Sequence, residues 1–323
     1  MINFNLSYLS KKLIKKIKSI KDKTENNKNE DRILSLLSKI LLENRRKNYD
    51  TFSSINEAEL KVFSQNGEDG IIDFLLTKLN INYPKFVEIG VEDYSEANTR
   101  LLYEHSNSTG LIIDNYINFD LAKDKFETWK GNLKILKSYV NSSNINDILR
   151  DQNFDEELDL FSIDIDGIDY WVIKSLPNKI SKIFIAEYNP IFGSNLEITV
   201  PNLDSFDRTK YHFSNLCWGM SIKALINLMK DKGYFFVGAN NFRNNAFFIS
   251  EKFENIFQQL SNELTKINLS KYTNKKFMES RDLRGNLLYL SKKKEELDLI
   301  KDCSVEIINF NKTVKIKDII NDI

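Results

Sequence analysis

Residues 85–93 read Lys-Phe-Val-Glu-Ile-Gly-Val-Glu-Asp. Phe86, Val87 and Ile89 make a short apolar run, Gly90 ends it, and helical spacing begins a few residues later. A strand with apolar residues on both faces belongs inside a sheet covered on both sides. A glycine just past its end lets the backbone come close to a ligand before a helix starts. Runs of the same character recur at 110–114 (GLIID), 134–140, 158–165 (LDLFSIDI) and 182–187 (KIFIAE), with helical stretches at 97–104, 119–128, 145–151 and 170–175 between them. Strand and helix in alternation predict a doubly wound parallel sheet. A helix at 221–232 then stops at Gly233, and two further runs, 234–237 and 246–250, are joined by a loop so short that they must be antiparallel. The expected fold is α/β, a Rossmann-like doubly wound sheet with five parallel strands and an antiparallel last strand.

Composition bounds the class. Of 323 residues 41% are hydrophobic and 12% aromatic, enough to bury a sizeable core and to exclude global disorder. Lys+Arg and Asp+Glu balance at 46 each, so net charge points to no nucleic-acid partner. No apolar run approaches the roughly 20 residues of a membrane span. Lys11, Lys12, Lys15, Lys16 and Lys18 interrupt any signal-like stretch, so a cytoplasmic location is expected. Cys217 and Cys303 are far apart, with no CxxC, which indicates neither a disulfide framework nor a zinc site.

Charge is uneven along the chain. Residues 1–50 hold 13 Lys and Arg against 6 Asp and Glu, which sets off 1–60 as a basic helical extension. Leu9, Leu13, Ile17 and Ile20 repeat at helical spacing, and Ile33, Leu36, Leu37, Ile40 and Leu41 do so again. Such helices dock on the core, on a second copy in a homodimer, or on an anionic membrane surface. Residues 61–251 form the core. Residues 252–323, rich in Lys and Asn, read as a peripheral appendage.

The first loop carries chemistry. Glu88 and Gly90 precede it, and Asp114 closes the second strand, where a carboxylate accepts hydrogen bonds from ribose hydroxyls. Asn141, after the third strand, would flank the adenine. Glu92 stands where the usual pattern has a second glycine; its charge disfavours a pyrophosphate but suits a cationic ligand.

The strings Ser64-Gln65-Asn66-Gly67-Glu68-Asp69-Gly70, Phe86-Val87-Glu88-Ile89-Gly90, Glu96-Ala97-Asn98-Thr99-Arg100 and Ser162-Ile163-Asp164-Ile165-Asp166-Gly167 together resemble the FkbM-like group of S-adenosylmethionine-dependent methyltransferases, over about 62–250. The resemblance implies a core that binds S-adenosylmethionine through Gln65, Glu88, Gly90, Asp114, Asn141 and Asp164. It also implies O-methylation of a sugar, a glycan or a related small hydroxyl or phosphoryl-linked acceptor, in surface polysaccharide or natural-product biosynthesis.

Asp164, Asp166, Asp169 and Glu187 end neighbouring strands, and carboxylates crowded in one crevice need a cation or a shared proton. Asp164, Asp166 and Glu187 would hold Mg²⁺; in the other reading, Asp166 and Asp169 cap the next helix and no metal binds. Methyl transfer to oxygen also needs a proton acceptor, for which His212, Asp169 and Asp166 are the candidates. Two alternatives stand beside this reading. One is a metal-dependent glycosyltransferase using Asp164-Ile165-Asp166 as a DxD, and the other is a methyltransferase-like scaffold without activity.

Overall fold

The computed structural model describes residues 29–116, 131–258, 260 and 280–323. The helix expected at 119–128 and the stripe Leu9 to Ile20 lie outside the described residues. Two compact units divide the chain, Met1–Lys47 and Asn48–Ile323. In the first, residues 29–46 form helix α1, on which Ile33, Leu36, Leu37, Ile40 and Leu41 are all exposed. In the second lie α2 (Glu68–Lys78), β1 (Lys85–Ile89), α3 (Arg100–His105), β2 (Thr109–Asp114), β3 (Asn132–Lys137), α4 (Ile145–Gln152), β4 (Leu158–Ile163), α5 (Asp169–Ser175), β5 (Ser181–Glu187), β6 (Ile198–Thr199), α6 (Arg208–Tyr211), α7 (Ile222–Asp231), β7 (Tyr234–Ala239), β8 (Asn245–Ser250), α8 (Lys293–Ile300), β9 (Ser304–Ile307), β10 (Lys312–Lys315) and α9 (Ile316–Ile319).

The main sheet runs β3-β2-β1-β4-β5-β8-β7. β1 to β5 are mutually parallel, and β8 is antiparallel to both β5 and β7. The antiparallel last strand is thus inserted between β5 and β7 rather than placed at the edge. Alternation along each strand fills two cores. Val87, Ile89, Leu111, Ile113, Phe184 and Ala186 face one side, while Phe86, Ile112, Ile183 and Ile185 face the other. Ser221 caps α7, its Oγ accepting from Ala224 N at 3.2 Å, and Gly233 leaves that helix with φ +82°.

Two boundaries differ from those expected. Tyr49, Ile55 and Ala58 are buried in the apolar cluster with α2, so residues 48–60 pack as part of the core unit. The segment from 280 onward is not merely peripheral. β9 pairs with β10 and with β6, a strand of the core, and Ile300, Val305 and Ile316 join the main apolar cluster. Weak hydrophobic periodicity hid this, because strands of two to four residues carry too few positions to show a period.

Candidate functional site

A cavity of about 500 Å³ opens at the carboxyl ends of the parallel strands. Open α/β sheets bind their ligands there, because each strand end delivers its loop to the same crevice.

Gly90 turns the chain away from β1 with φ +83°, in the left-handed region. A Cβ on Gly90 would lie 1.6 Å from the Asp164 carbonyl oxygen. The glycine is therefore required by the close approach of the β4 end as well as by the turn. Gly90 N donates to Ile113 O at 2.9 Å and Asp164 N to Ile89 O at 2.9 Å, so the end of β1 is clamped from both sides. Glu92 has φ +48°, the backbone region the missing second glycine would favour. The loop keeps a glycine-like path with a glutamate in it.

Asp114 holds that path. Its Oδ2 accepts from Val91 N at 2.9 Å and Glu92 N at 2.8 Å, and its Oδ1 accepts from Tyr116 N at 2.6 Å. Glu88 lines the cavity, but its carboxylate serves the entry to α3: Oε1 accepts from Asn98 N at 2.8 Å, and Oε2 from Thr99 N at 2.9 Å and Thr99 Oγ1 at 2.5 Å. Burial outweighs these bonds and pushes the Glu88 carboxyl up to about 7.

The first of the sequence strings proves to be mainly a brace around this cavity, whereas the other three each contribute residues to its wall. Asp69 Oδ2 accepts from Val62 N, Phe63 N and Ser64 N, each at 2.8 Å, and from Ser64 Oγ at 2.9 Å. Gly70 lets residues 58–60 cross α2, since a Cβ there would meet Ala58 O at 2.1 Å. Of residues 64–70 only Gln65 lines the cavity. Arg100 sits with its guanidinium carbon 3.9 Å from the Phe63 ring centroid and donates to Ser95 O at 2.6 Å, tying the third string to the residue that precedes the first.

Asp164, Asp166 and Glu187 are brought together, with one ligand oxygen from each within 4.8 Å of the others. Arg208 Nη1 donates to Asp166 Oδ1 at 2.6 Å. Asp164 and Glu187 lie close together in this trio, and desolvation, with the neighbouring carboxylates after it, holds both well above the usual carboxylate range. Glu187 is buried and its Oε2 has no hydrogen-bond partner, whereas its Oε1 accepts from Asn244 Nδ2 at 3.3 Å. Asn244 belongs to a buried asparagine network. Its Oδ1 accepts from Asn240 Nδ2 at 2.9 Å, and the same Asn240 amide nitrogen donates to Glu68 Oε1 at 2.6 Å. This link from the first string to the acidic cluster was missed in sequence, where Asn240 to Asn245 reads as an ordinary polar hairpin loop. Arg208 was missed too, since nothing local marks it as the partner of Asp166.

Three candidates lie elsewhere. Asn141 is absent from the cavity wall; its Oδ1 accepts from Ser143 N at 3.0 Å and Asn144 N at 3.1 Å, which makes it the turn before α4. Asp169 is also absent from the wall. It is fully buried, accepting from Ile165 N at 2.9 Å and Gly167 N at 3.0 Å, so it shapes the loop that displays Asp164 and Asp166. His212 faces Ser214, Nδ1 to Oγ 2.7 Å, again outside the cavity wall. Among the three proposed proton acceptors Asp166 alone reaches the cavity.

Eight carboxylates line the cavity (Glu88, Glu92, Glu96, Asp114, Asp164, Asp166, Glu187 and Asp207) against three cations, Arg208, Arg243 and Lys293. Tyr116, Tyr139, Phe206, Trp218 and Phe242 supply aromatic wall. Such a site attracts a positively charged ligand and offers flat apolar surface beside it.

No protein-family profile matches the sequence, and a search of curated proteins finds no match. Among solved structures, the N-terminal domain of EvdMO1 with SAH bound overlaps 58% of this chain and 80% of its own at 9% identity, with a TM-score of 0.36. PKMT2 from Rickettsia typhi in complex with AdoHcy overlaps 53% of this chain and 50% of its own at 9% identity, TM-score 0.35. The mitomycin 7-O-methyltransferase MmcR overlaps 56% of each chain at 11% identity, TM-score 0.30. Overlaps at this level assign no chemistry to this chain.

Proposed function

We propose that the chain is an S-adenosylmethionine-dependent O-methyltransferase of the FkbM-like kind, acting on a sugar, glycan or related small hydroxyl acceptor in surface polysaccharide or natural-product biosynthesis. The observation that carries this reading is the acidic cavity at the strand ends, where the Gly90 turn, Asp114 and the pair Asp164 and Glu187 converge. S-adenosylmethionine is a sulfonium cation and supplies, when bound, an electrophilic methyl group. Gln65, Gly90 and Asp114 would hold its adenosine end, and the acidic wall favours its charge. Tyr139, Phe206 and Trp218 exclude water and offer a sugar ring a stacking surface. Asp166, positioned by Arg208, takes the proton from the acceptor hydroxyl.

Calorimetry with S-adenosylhomocysteine tests the cofactor. We expect binding, weakened roughly 10–100-fold by Asp114→Ala, the equivalent of one charged hydrogen bond. Equal affinity in that variant would place the ribose elsewhere. A UDP-sugar bound in place of S-adenosylhomocysteine would favour the glycosyltransferase, and binding of neither would favour the scaffold.

A divalent cation fits the acidic trio, on the strength of the orphaned Glu187 Oε2 and three hard oxygen donors. Asp164, Asp166 and Glu187 would hold Mg²⁺, which there acts as a Lewis acid toward an acceptor oxygen. Methyl transfer should then fall on chelation, and calorimetric Mn²⁺ binding should be lost in Glu187→Ala. Undiminished transfer in chelator would remove the metal from the reading. The exposed apolar row of α1 supports contact with a second copy or an anionic membrane surface. Sedimentation of Leu37→Glu beside the unaltered chain, with and without anionic vesicles, separates the two.

A further inference from the structure

The cavity wall is polarised along its length. Glu88 belongs to β1, Glu92 and Glu96 to the loop that follows it, and Asp114 ends β2; no cation of the wall comes from those elements. The three wall cations come from later in the chain: Arg208 from α6, Arg243 from the turn between β7 and β8, and Lys293 from the start of α8. They gather near the ends of β4 and β5. Arg208 holds Asp166, the charge of Arg243 acts on Tyr188 just past β5, and Lys293 Nζ lies so near Gly193 that a Cβ there would come within 2.8 Å of it. In the sheet order β5 stands three strands from β2, about 14 Å away. At the β4 and β5 end Arg208 pairs with Asp166 at 2.6 Å, and Lys210, just outside the wall, pairs with Asp207 at 2.9 Å. Asp164 and Glu187 are then matched in number by Arg243 and Lys293. The β1 and β2 end keeps an excess of acid even after Lys61 pairs with Glu96 at 3.3 Å.

Lys293 is the cation of this end that ion-pairs with no carboxylate among the described residues. Its Nζ donates to Ile323 O at 2.9 Å, which uses one of the three N–H groups of an ammonium. Glu296, one turn along α8, acts on it only from a distance, and burial draws it below the ordinary lysine range. A half-desolvated cation in a cavity wall gains more from an anion than one in open water does. We propose that Lys293 determines acceptor specificity, and that the acceptor is a sugar bearing an anionic substituent, a carboxylate or a phosphoryl group, which the Lys293 ammonium binds while the sugar lies toward Asp166. The word acceptor rests on the methyltransferase reading above; the anion site itself does not require the cofactor. An ammonium is a point charge and does not choose between planar carboxylate and tetrahedral phosphoryl, so the shared chemistry is the negative charge. The segment from 280 onward, joined to the core through β9, thereby supplies a residue to the cavity as well as to the apolar cluster.

The test titrates the full chain, with and without saturating S-adenosylhomocysteine, with methyl glucopyranoside, glucuronate, glucose 1-phosphate and inorganic phosphate, read by calorimetry. We expect an anionic sugar to bind roughly 10–100-fold more tightly than the neutral glycoside, and glucuronate against glucose 1-phosphate tells carboxylate from phosphoryl. Lys293→Met should abolish the preference and Lys293→Arg should keep it. A lysine that only ties down Ile323 O would leave the preference unchanged in the Met variant. Acetylation of Lys293 by acetic anhydride, followed by mass spectrometry, gives a second readout in the unaltered protein. The anionic sugar should slow it at least about threefold and the neutral glycoside should not. Equal affinity for charged and neutral sugars, a preference that survives Lys293→Met, or anionic sugars that neither bind nor slow the labelling would overturn the proposal. Inorganic phosphate protecting Lys293 as well as glucose 1-phosphate does would overturn the assignment of a sugar. S-adenosylhomocysteine bound without any anion preference removes this inference alone, whereas an anion preference without S-adenosylhomocysteine binding supports the site and removes the methyltransferase reading.

Discussion

Gly90→Ala should lose at least about 3 kcal/mol of unfolding free energy and all binding of S-adenosylhomocysteine, the largest effect of any single substitution in the loop. The added Cβ would sit 1.6 Å from the Asp164 carbonyl oxygen, a backbone atom that no rotamer change can move aside. The residue also has φ +83°, which is costly for any side chain. Relief requires β1 and β4 to part at the ends that carry Asp164, so stability and the cavity fail together. Urea denaturation at unchanged m-value measures the first loss and calorimetry the second. A cost below about 1 kcal/mol would mean that the β4 end yields freely and that the clamp is not rigid.

The second large effect depends on pH. Glu88 titrates at about 7 in the fold, against a reference value of 4.5. The folded state holds that proton more tightly than the unfolded chain does. The resulting stabilisation is complete below 4.5 and is lost as pH rises through 7, an amount of about 3 kcal/mol for a shift of this size. The unaltered chain should therefore lose stability relative to Glu88→Gln between pH 4.5 and 8. Taking the difference between the two proteins cancels contributions they share, such as Asp69, which burial pushes up to about 6. Denaturation midpoints at several pH values measure it; a difference independent of pH would mean that Glu88 ionises as an ordinary surface carboxylate does. A fixed offset from the lost acceptor oxygen at Asn98 and Thr99 is expected at every pH, because Gln presents an NH₂ where one carboxylate oxygen accepted.

How far the site could be read in advance depended on the range of each interaction. Gly90, Asp114, Asp164 and Glu187 follow from the rule that the carboxyl ends of parallel strands share a crevice, and they do line one cavity. Asp169, Asn141 and His212 carry the right functional groups near the right strands, yet two are consumed by backbone N–H groups within four residues and the third pairs with the Ser214 hydroxyl. Short polar side chains beside turns satisfy local backbone before anything else, and residue type alone does not tell which. Residues 64–70 illustrate the converse. A distinctive string suggested ligand contact, but Asp69 holds the backbone of residues 62–64 and Gly70 serves the crossing of residues 58–60 over α2.

The order of elements, the five parallel strands and the closing antiparallel hairpin were set by the local sequence, because strand and helix periods and loop lengths are properties of a few consecutive residues. Only the tertiary structure decided which polar groups face one another. It joined Asp166 to Arg208, and Glu187 through Asn244 and Asn240 to Glu68, pairs separated by up to 172 residues at a single bond. Such pairings follow from where the sheet order β3-β2-β1-β4-β5-β8-β7 brings loop ends together, and no period or motif within one segment encodes that.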